Sequence, residues 1–111
     1  MDDRVSKYLY DILSAINETL EETDIRGRKF EILVKDRVYR KFVERNIGII
    51  GEAMNRVLKI DDQIPITSAR SIVNTRNLVI HSYDSLDKEI IWGIIIKHLP
   101  ILKSEVEKLM S

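Results

Sequence analysis

The chain has 111 residues, of which 44% are hydrophobic and 32% are charged, with 18 basic and 18 acidic side chains. This composition excludes a disordered chain, and the absence of cysteine excludes disulfides and cysteine-based zinc sites. The length suits one core, so we predict a single domain over residues 1–111. The charged start and the lack of a long apolar run predict a cytoplasmic protein with no membrane partner.

The first two predicted helices cover about residues 3–21 and 29–58, because apolar residues recur there every three or four positions. Gly48 and Gly51 lie inside the second helix, where a glycine costs about 1 kcal/mol relative to alanine. We therefore expect another backbone or a ligand to approach closely at Gly51, whereas Gly48 is equally compatible with a tolerated surface position. The apolar line predicted for the second helix is Val34, Val38, Phe42, Val43, Ile47, Ile50, Met54, Val57 and Leu58.

The third predicted helix begins after Thr67 or Ser68 and fades near residues 81–84, and Asp87 caps the fourth. Pro100 lacks a backbone N–H and predicts a kink about one turn before it. The fourth helix is apolar over more than half its circumference, which favours a dimer interface. Four amphipathic helices with short connections indicate an all-α fold, an antiparallel up-and-down four-helix bundle with a kinked C-terminal helix. The core line predicted for the fourth helix is Ile90, Ile91, Ile94, Ile95, Leu99, Leu102, Val106 and Leu109.

Charge is segregated along the first half of the chain. Residues 1–25 carry two basic and seven acidic side chains, whereas residues 26–45 carry eight basic and three acidic ones. One interpretation is a basic segment that tracks phosphates beside an acidic one that meets a protein partner. The other is simple charge pairing between the first and second helices, which we favour.

The third helix contains an arginine within its apolar stripe, which is formed by Ala69, Ile72, Val73, Val79, Ile80 and Tyr83. Arg76 lies four residues after Ile72, and a guanidinium on a core-facing position costs several kcal/mol unless an anion meets it. Two interpretations remain open: a structural ion pair, with Glu52 as the candidate, or a cleft that binds an anionic ligand. Asn77 and His81 favour the cleft, because residues four apart are neighbours on a helix and an amide can orient an imidazole.

Three blocks of sequence resemble one known family. Arg76, Asn77, His81 and Tyr83 match the R-x-x-x-x-H signature of the HEPN superfamily and the additional tyrosine of its HepT-like toxins. Residues 49–53 (IIGEA) resemble that family's I-G-E-A block. Trp92 together with residues 99–102 (LPIL) resembles the W…LP.L pattern at the end of the family's sequences. The resemblance covers most of the chain and implies a HEPN-like helical bundle that forms a homodimer, acts on RNA as a metal-independent ribonuclease toxin, and has a dimeric catalytic cleft.

The residues fit that chemistry. Cleavage of RNA without metal needs a base for the 2′-hydroxyl, an acid for the leaving oxygen, and positive charge at the phosphate. His81 suits proton transfer, Arg76 suits charge stabilisation, and Asn77 orients the histidine or donates to phosphate. One chain offers one such histidine, so a two-histidine mechanism needs a second chain. We expect no cofactor and no metal, and we interpret His98, Met54 and Trp92 as structural.

The resemblance also implies a role for Tyr83 and a protein partner. In HepT-like toxins the matching tyrosine receives AMP from an MntA-type nucleotidyltransferase antitoxin, which blocks the site by bulk and negative charge. From its spacing alone, Tyr83 is more typical of the last core residue of its helix, with its hydroxyl at the rim. The alternative function is a non-catalytic HEPN adaptor that binds a nucleotidyltransferase and a nucleotide or phosphate ligand.

Overall fold

The computed structural model describes the backbone of residues 1–81 and 87–111 and the side chains of residues 1–75 and 87–111. The fold is all-α, which confirms the predicted class. Within the described part of the chain, no helix combines the length and hydrophobicity needed to cross a membrane. The helices are α1 (Asp3–Ile25), α2 (Phe30–Lys35), α3 (Arg37–Ile60), α4 (Ala69–His81), α5 (Lys88–Gly93) and α6 (Leu99–Met110), and a π-helical segment (Ile94–His98) joins α5 to α6.

Helices α1 and α3 form the centre of the bundle. They run antiparallel, because Asn46 of α3 bonds to Thr19 of α1 while Tyr39, earlier in α3, bonds to Thr23, later in α1. All four of these polar side chains are buried, and the bonds between them offset the cost of removing them from water. Aliphatic residues surround this polar line on both helices: Val5, Leu9, Ile12, Ile16, Ile50, Met54 and Val57.

The prediction of one continuous helix over residues 29–58 is wrong. Asp36 has extended backbone angles (φ −93°, ψ 98°) and separates α2 from α3. Its carboxylate accepts from Tyr39 N at 3.0 Å, which caps the start of α3. The guanidinium of Arg40 donates to the carbonyls of Leu33 and Val34, both at 2.9 Å, and so supplies partners at the end of α2. The two short-range contacts make the break locally stable.

The break also shifts the apolar face, so two residues of the predicted core line are not in the core. Val34 is 38% exposed and Val38 is 79% exposed. Leu33 and Tyr39 are buried in their place, because the helical phase restarts after Asp36. The later part of the line, from Val43 onward, is buried or partly buried as predicted.

The fourth predicted helix is present but divided into three pieces. Asp87 caps it as predicted, since its carboxylate accepts from Glu89 N at 2.7 Å and from Ile90 N at 3.3 Å. The irregularity predicted before Pro100 takes the form of the π-helical segment, in which Leu99 N donates to Ile94 O. Ile90 does not join the core, because 51% of it is exposed.

The two glycines of α3 differ in their surroundings. A Cβ added to Gly48 would meet no atom within 4 Å, so Gly48 is a tolerated open position. Gly51 is buried within α3. The close approach expected at Gly51 stays a prediction.

Candidate functional site

The start of α4 is fixed by its neighbours in the chain and by α6. Ala69 is the first helical residue, and the carbonyl of Ser68 just before it accepts from Ile72 N at 3.0 Å. Thr67, the other predicted cap, forms hydrogen bonds with α6. Its backbone N–H and its hydroxyl bind the two carboxylate oxygens of Glu105 at 3.0 and 3.2 Å. This contact joins the beginning of α4 to α6.

Helix α4 packs along α3 and returns in the opposite direction after a short connection. Ala69 is buried, and Ile72 and Val73 pack against the main core, which confirms the described part of the predicted stripe.

The predicted catalytic residues lie at the C-terminal end of this helix. The backbones of Arg76, Asn77 and His81 are helical and occupy the last two turns of α4. The side chains of these residues, and Tyr83 as a whole, lie outside the described residues. Their roles therefore stay predictions.

The carboxylate proposed as a structural partner for Arg76 has another cation nearby. Oε1 of Glu52 lies 3.3 Å from Nε of Arg56, one turn further along α3. Both side chains of this pair are about half exposed, so the pair contributes little to stability. The predicted contact between Glu52 and Arg76 involves a side chain outside the described residues and stays a prediction.

A cavity of about 610 Å³ lies between α3, α4 and the C-terminal helices, and we call it the isoleucine cavity. Ser71 and Thr75 line it from α4, one turn apart. The Thr75 hydroxyl donates to the Ser71 carbonyl at 2.9 Å, so its oxygen lone pairs remain able to accept. Thr75 directly precedes Arg76 in the chain, so the cavity reaches the predicted catalytic turn of α4. Its aliphatic lining includes Ile47, Ile50, Ile72, Ile90, Ile94 and Ile101.

Two basic side chains of the π-helical segment also line this cavity. Lys97 and His98 are both exposed and lie on the same wall. The imidazole of His98 is exposed and not packed into the core, and its structural interpretation stays a prediction. The interpretation is confirmed for Met54, which is fully buried, and for Trp92, which packs edge-on against Phe30 with ring centroids 6.0 Å apart. In the sequence, Pro100 was the signal for this part of the cavity wall, because it predicts an irregular helix in the turn that carries Lys97 and His98.

A second concave surface lies between α1 and α3 and measures about 820 Å³. Its lining mixes signs, with Lys41, Arg45 and Arg56 among four carboxylates. A groove of mixed charge does not favour a polyanion over other ligands. One carboxylate oxygen of Glu44 in this groove is buried and has no hydrogen-bond partner among the described residues.

The segregated charges of the first half of the chain are only partly paired. Arg28 binds Asp24 at 3.1 Å, and Arg26 binds Glu22 on the same turn. Within the described residues, no ion pair joins an acidic residue of α1 to a basic residue of α3, so the predicted pairing between the two long helices is wrong. The described side chains also contain no cluster of three or more histidine, aspartate or glutamate residues that could hold a metal ion.

Comparison with known proteins identifies the family of this chain. The model of the family described as "Ribonuclease HepT-like" matches residues 9–109. "Putative RNase MJ1380" of Methanocaldococcus jannaschii is 35% identical over 93% of this chain and 94% of its own length. "Probable ribonuclease HepT" of Thermococcus cleftensis is 33% identical over 92% of each chain. "Putative RNase TTE0752" of Caldanaerobacter subterraneus is 31% identical over 94% of this chain and 92% of its own. No solved structure matches significantly. The family match spans nearly the whole chain, and the chain therefore belongs to the ribonuclease HepT-like family.

Proposed function

We propose that this chain is an endoribonuclease that cleaves RNA without a metal ion and acts as the toxin of a toxin–antitoxin pair. The observation that carries the proposal is that the family match over residues 9–109 includes Arg76 and His81, and that α4 holds both in its last two turns. The relatives named as ribonucleases cover the same stretch of the chain.

The chemistry follows from these two side chains. A base takes the proton of the ribose 2′-hydroxyl, and the 2′-oxygen then attacks the neighbouring phosphorus. The bond from phosphorus to the 5′-oxygen breaks as an acid protonates that oxygen, which leaves a 2′,3′-cyclic phosphate and a 5′-hydroxyl. His81 transfers protons in this scheme, and the permanently charged Arg76 stabilises the negative charge that develops on the phosphate. Asn77, one turn before His81, orients the imidazole or donates to the phosphate.

The proposed active form is a homodimer. Each α4 supplies one Arg76 and one His81, and a mechanism in which one imidazole is the base and another the acid needs two copies of His81. A second copy of the chain supplies the second set when the two α4 ends face each other. Light scattering coupled to size exclusion tests this state, and a monomer that cleaves RNA at full rate contradicts it.

The ribonuclease proposal is tested by incubating labelled single-stranded RNA with the chain, with and without EDTA. We expect cleavage in both, and we expect Arg76→Ala and His81→Ala to lower the rate by about 10²- to 10⁴-fold. Arg70→Ala is the matched control, because Arg70 is an exposed arginine in the first turn of the same helix. Cleavage that survives both active-site substitutions removes the catalytic assignment. A folded wild-type chain that binds RNA or nucleotide without cleaving it is instead the non-catalytic adaptor.

We further propose that an MntA-type nucleotidyltransferase is the antitoxin and that it transfers AMP from ATP to the Tyr83 hydroxyl. The hydroxyl oxygen loses its proton to solvent and forms a bond to the α-phosphorus of ATP, as the bond from that phosphorus to pyrophosphate breaks and pyrophosphate leaves. Tyr83 follows His81 by two residues, so the added phosphate would occupy the place of the RNA phosphate. Intact-mass measurement after incubation with the transferase and ATP should show a mass increase that Tyr83→Phe abolishes and Tyr10→Phe retains. Tyr10 is a suitable control because it is 62% exposed.

A further inference from the structure

The isoleucine cavity is not used by the catalytic scheme above, although it lies beside the catalytic helix. Its volume of about 610 Å³ falls within the range of small-molecule sites, about 300–1,000 Å³. The lining combines apolar walls with a few polar groups, as such sites do. Ser68, Ser71 and Thr75 place three hydroxyl side chains along the wall formed by α4 and the residue before it.

One wall of the cavity carries hydrogen-bond donors that suit an anionic ligand. Lys97 and His98 are exposed and present their side chains from the π-helical segment. Glu105 is the acidic residue of the lining, and its carboxylate already binds Thr67. π-Helical turns are rare and are often found at functional sites.

The direction of the helices determines where such a ligand would lie. Glu105 meets Thr67 at the start of α4, whereas the end of α4 at His81 is separated from the start of α5 at Lys88 by only six residues of chain. The C-terminal helices therefore run antiparallel to α4, and the cavity extends along α4 up to the residue that precedes Arg76. A ligand held here would continue directly into the catalytic turn.

We propose that the isoleucine cavity binds the nucleoside next to the scissile phosphate of RNA, and that Lys97 and His98 hold the following phosphate. The proposal rests on the ribonuclease function and adds to it a substrate-positioning site. A nucleobase has apolar faces and a polar edge, which match isoleucine walls and serine or threonine hydroxyls. Lys97 supplies the charge attraction for the phosphate, and the His98 imidazole can donate a hydrogen bond to it.

Gly93 provides a direct test, because it lines the cavity and an added Cβ would meet no atom within 4 Å. Gly93→Leu therefore adds bulk at the wall of the cavity from a position that has room for a Cβ. Gly48→Leu is the matched control, since Gly48 is also helical and open but lies outside this cavity. We expect Gly93→Leu to raise KM for single-stranded RNA at least about fivefold and to leave kcat within about twofold, with Gly48→Leu close to wild type.

The basic pair is tested separately. The double variant Lys97→Ala/His98→Ala should raise KM by a similar factor and make RNA binding less dependent on salt concentration, because fewer counterions are released. Lys108→Ala, an exposed lysine of α6 outside the cavity, is the control. Unchanged KM and salt dependence in the double variant overturn the assignment of the phosphate contact.

The outcomes distinguish this proposal from the ribonuclease proposal. Fluorescently labelled RNA is used to measure binding alongside cleavage. If the wild type binds RNA in a way that Gly93→Leu abolishes but does not cleave it, the ribonuclease proposal fails, and the cavity is a nucleoside-binding site without a scissile phosphate beside it. If the wild type cleaves RNA and Gly93→Leu matches it in KM, the cavity assignment fails. If Gly93→Leu changes the oligomeric state, a second copy occupies the cavity and the assignment also fails.

Discussion

The carboxylate of Glu105 binds both the backbone N–H and the hydroxyl of Thr67, at 3.0 and 3.2 Å. The two residues are 38 positions apart, so this contact fixes the start of α4 against α6. We expect Glu105→Ala to lower the free energy of unfolding by about 1 kcal/mol, since the contact is exposed but doubly bonded. Urea unfolding measures it as a lower midpoint with an unchanged slope.

Glu107→Ala is the control for this prediction, because Glu107 is an exposed carboxylate of the same helix. It should change stability by less than about 0.5 kcal/mol. Equal losses in the two variants would mean that the contact with Thr67 has no specific role.

The buried hydroxyl of Tyr39 lies 2.6 Å from the Thr23 hydroxyl and joins α3 to α1. Tyr39→Phe should lower the free energy of unfolding by about 1 kcal/mol at neutral pH, because the ring stays and only the bond is lost. Tyr10→Phe should have no measurable effect, since Tyr10 is largely exposed and forms no hydrogen bond through its hydroxyl among the described residues. Thermal unfolding followed by circular dichroism compares the two. A Tyr39→Phe variant as stable as wild type would contradict the prediction.

The same tyrosine should make stability depend on pH in the alkaline range. Burial raises the pKa of Tyr39 in the folded state, whereas the unfolded chain titrates near the ordinary value of about 10. The folded state thus keeps its proton to higher pH. The contribution of the protonated Tyr39 hydroxyl to the free energy of unfolding is complete below about pH 10, and it is lost as the pH rises through the folded-state pKa. The difference in unfolding free energy between wild type and Tyr39→Phe, measured by urea titration, should shrink above about pH 10. A difference that stays constant would show that the raised pKa of Tyr39 does not control stability in this range.

The glycines predict stability changes of opposite sign. Gly48 and Gly93 have room for a Cβ, so replacing either with alanine should raise the free energy of unfolding by about 0.5 to 1 kcal/mol. Gly27 has a φ of +79°, in the left-handed region that alanine adopts at a cost of about 1 kcal/mol, so Gly27→Ala should lower it. The denaturant midpoints of the three variants show whether each substitution raises or lowers the free energy of unfolding. A stabilising Gly27→Ala would contradict the argument.

The fold class could be predicted from the sequence, because the apolar residues that recur every three or four positions form the buried faces of the long helices. The sequence was not sufficient for the break at Asp36. That break depends on Arg40 reaching the carbonyls of Leu33 and Val34, a contact between residues six and seven apart that no helical pattern reveals. The sequence around Asp36 is compatible both with a new helix capped by Asp36 and with a helix that continues through it. The observed break allows Leu33 and Tyr39 to be buried together.

The candidate site was predictable to a different extent. The position of Arg76 and His81 on one helix followed from spacing, since both fall within a single amphipathic segment. The cavity beside them did not, because its walls come from α3, α4 and the C-terminal helices together. The exposure of His98 could not be predicted for a similar reason. It depends on how the segment before Pro100 departs from α-helical geometry, whereas an argument from spacing assumes a regular helix.

The π-helical turn at residues 94–98 is equivalent to one extra residue accommodated within an α-helical run. Deleting one residue there would allow α5 and α6 to merge into a single regular helix, with Ile91 and Leu102 still directed inward. A deletion elsewhere in the run would turn everything beyond it by about 100°. The chain therefore has a defined place where its length can change by one residue while the bundle keeps its shape.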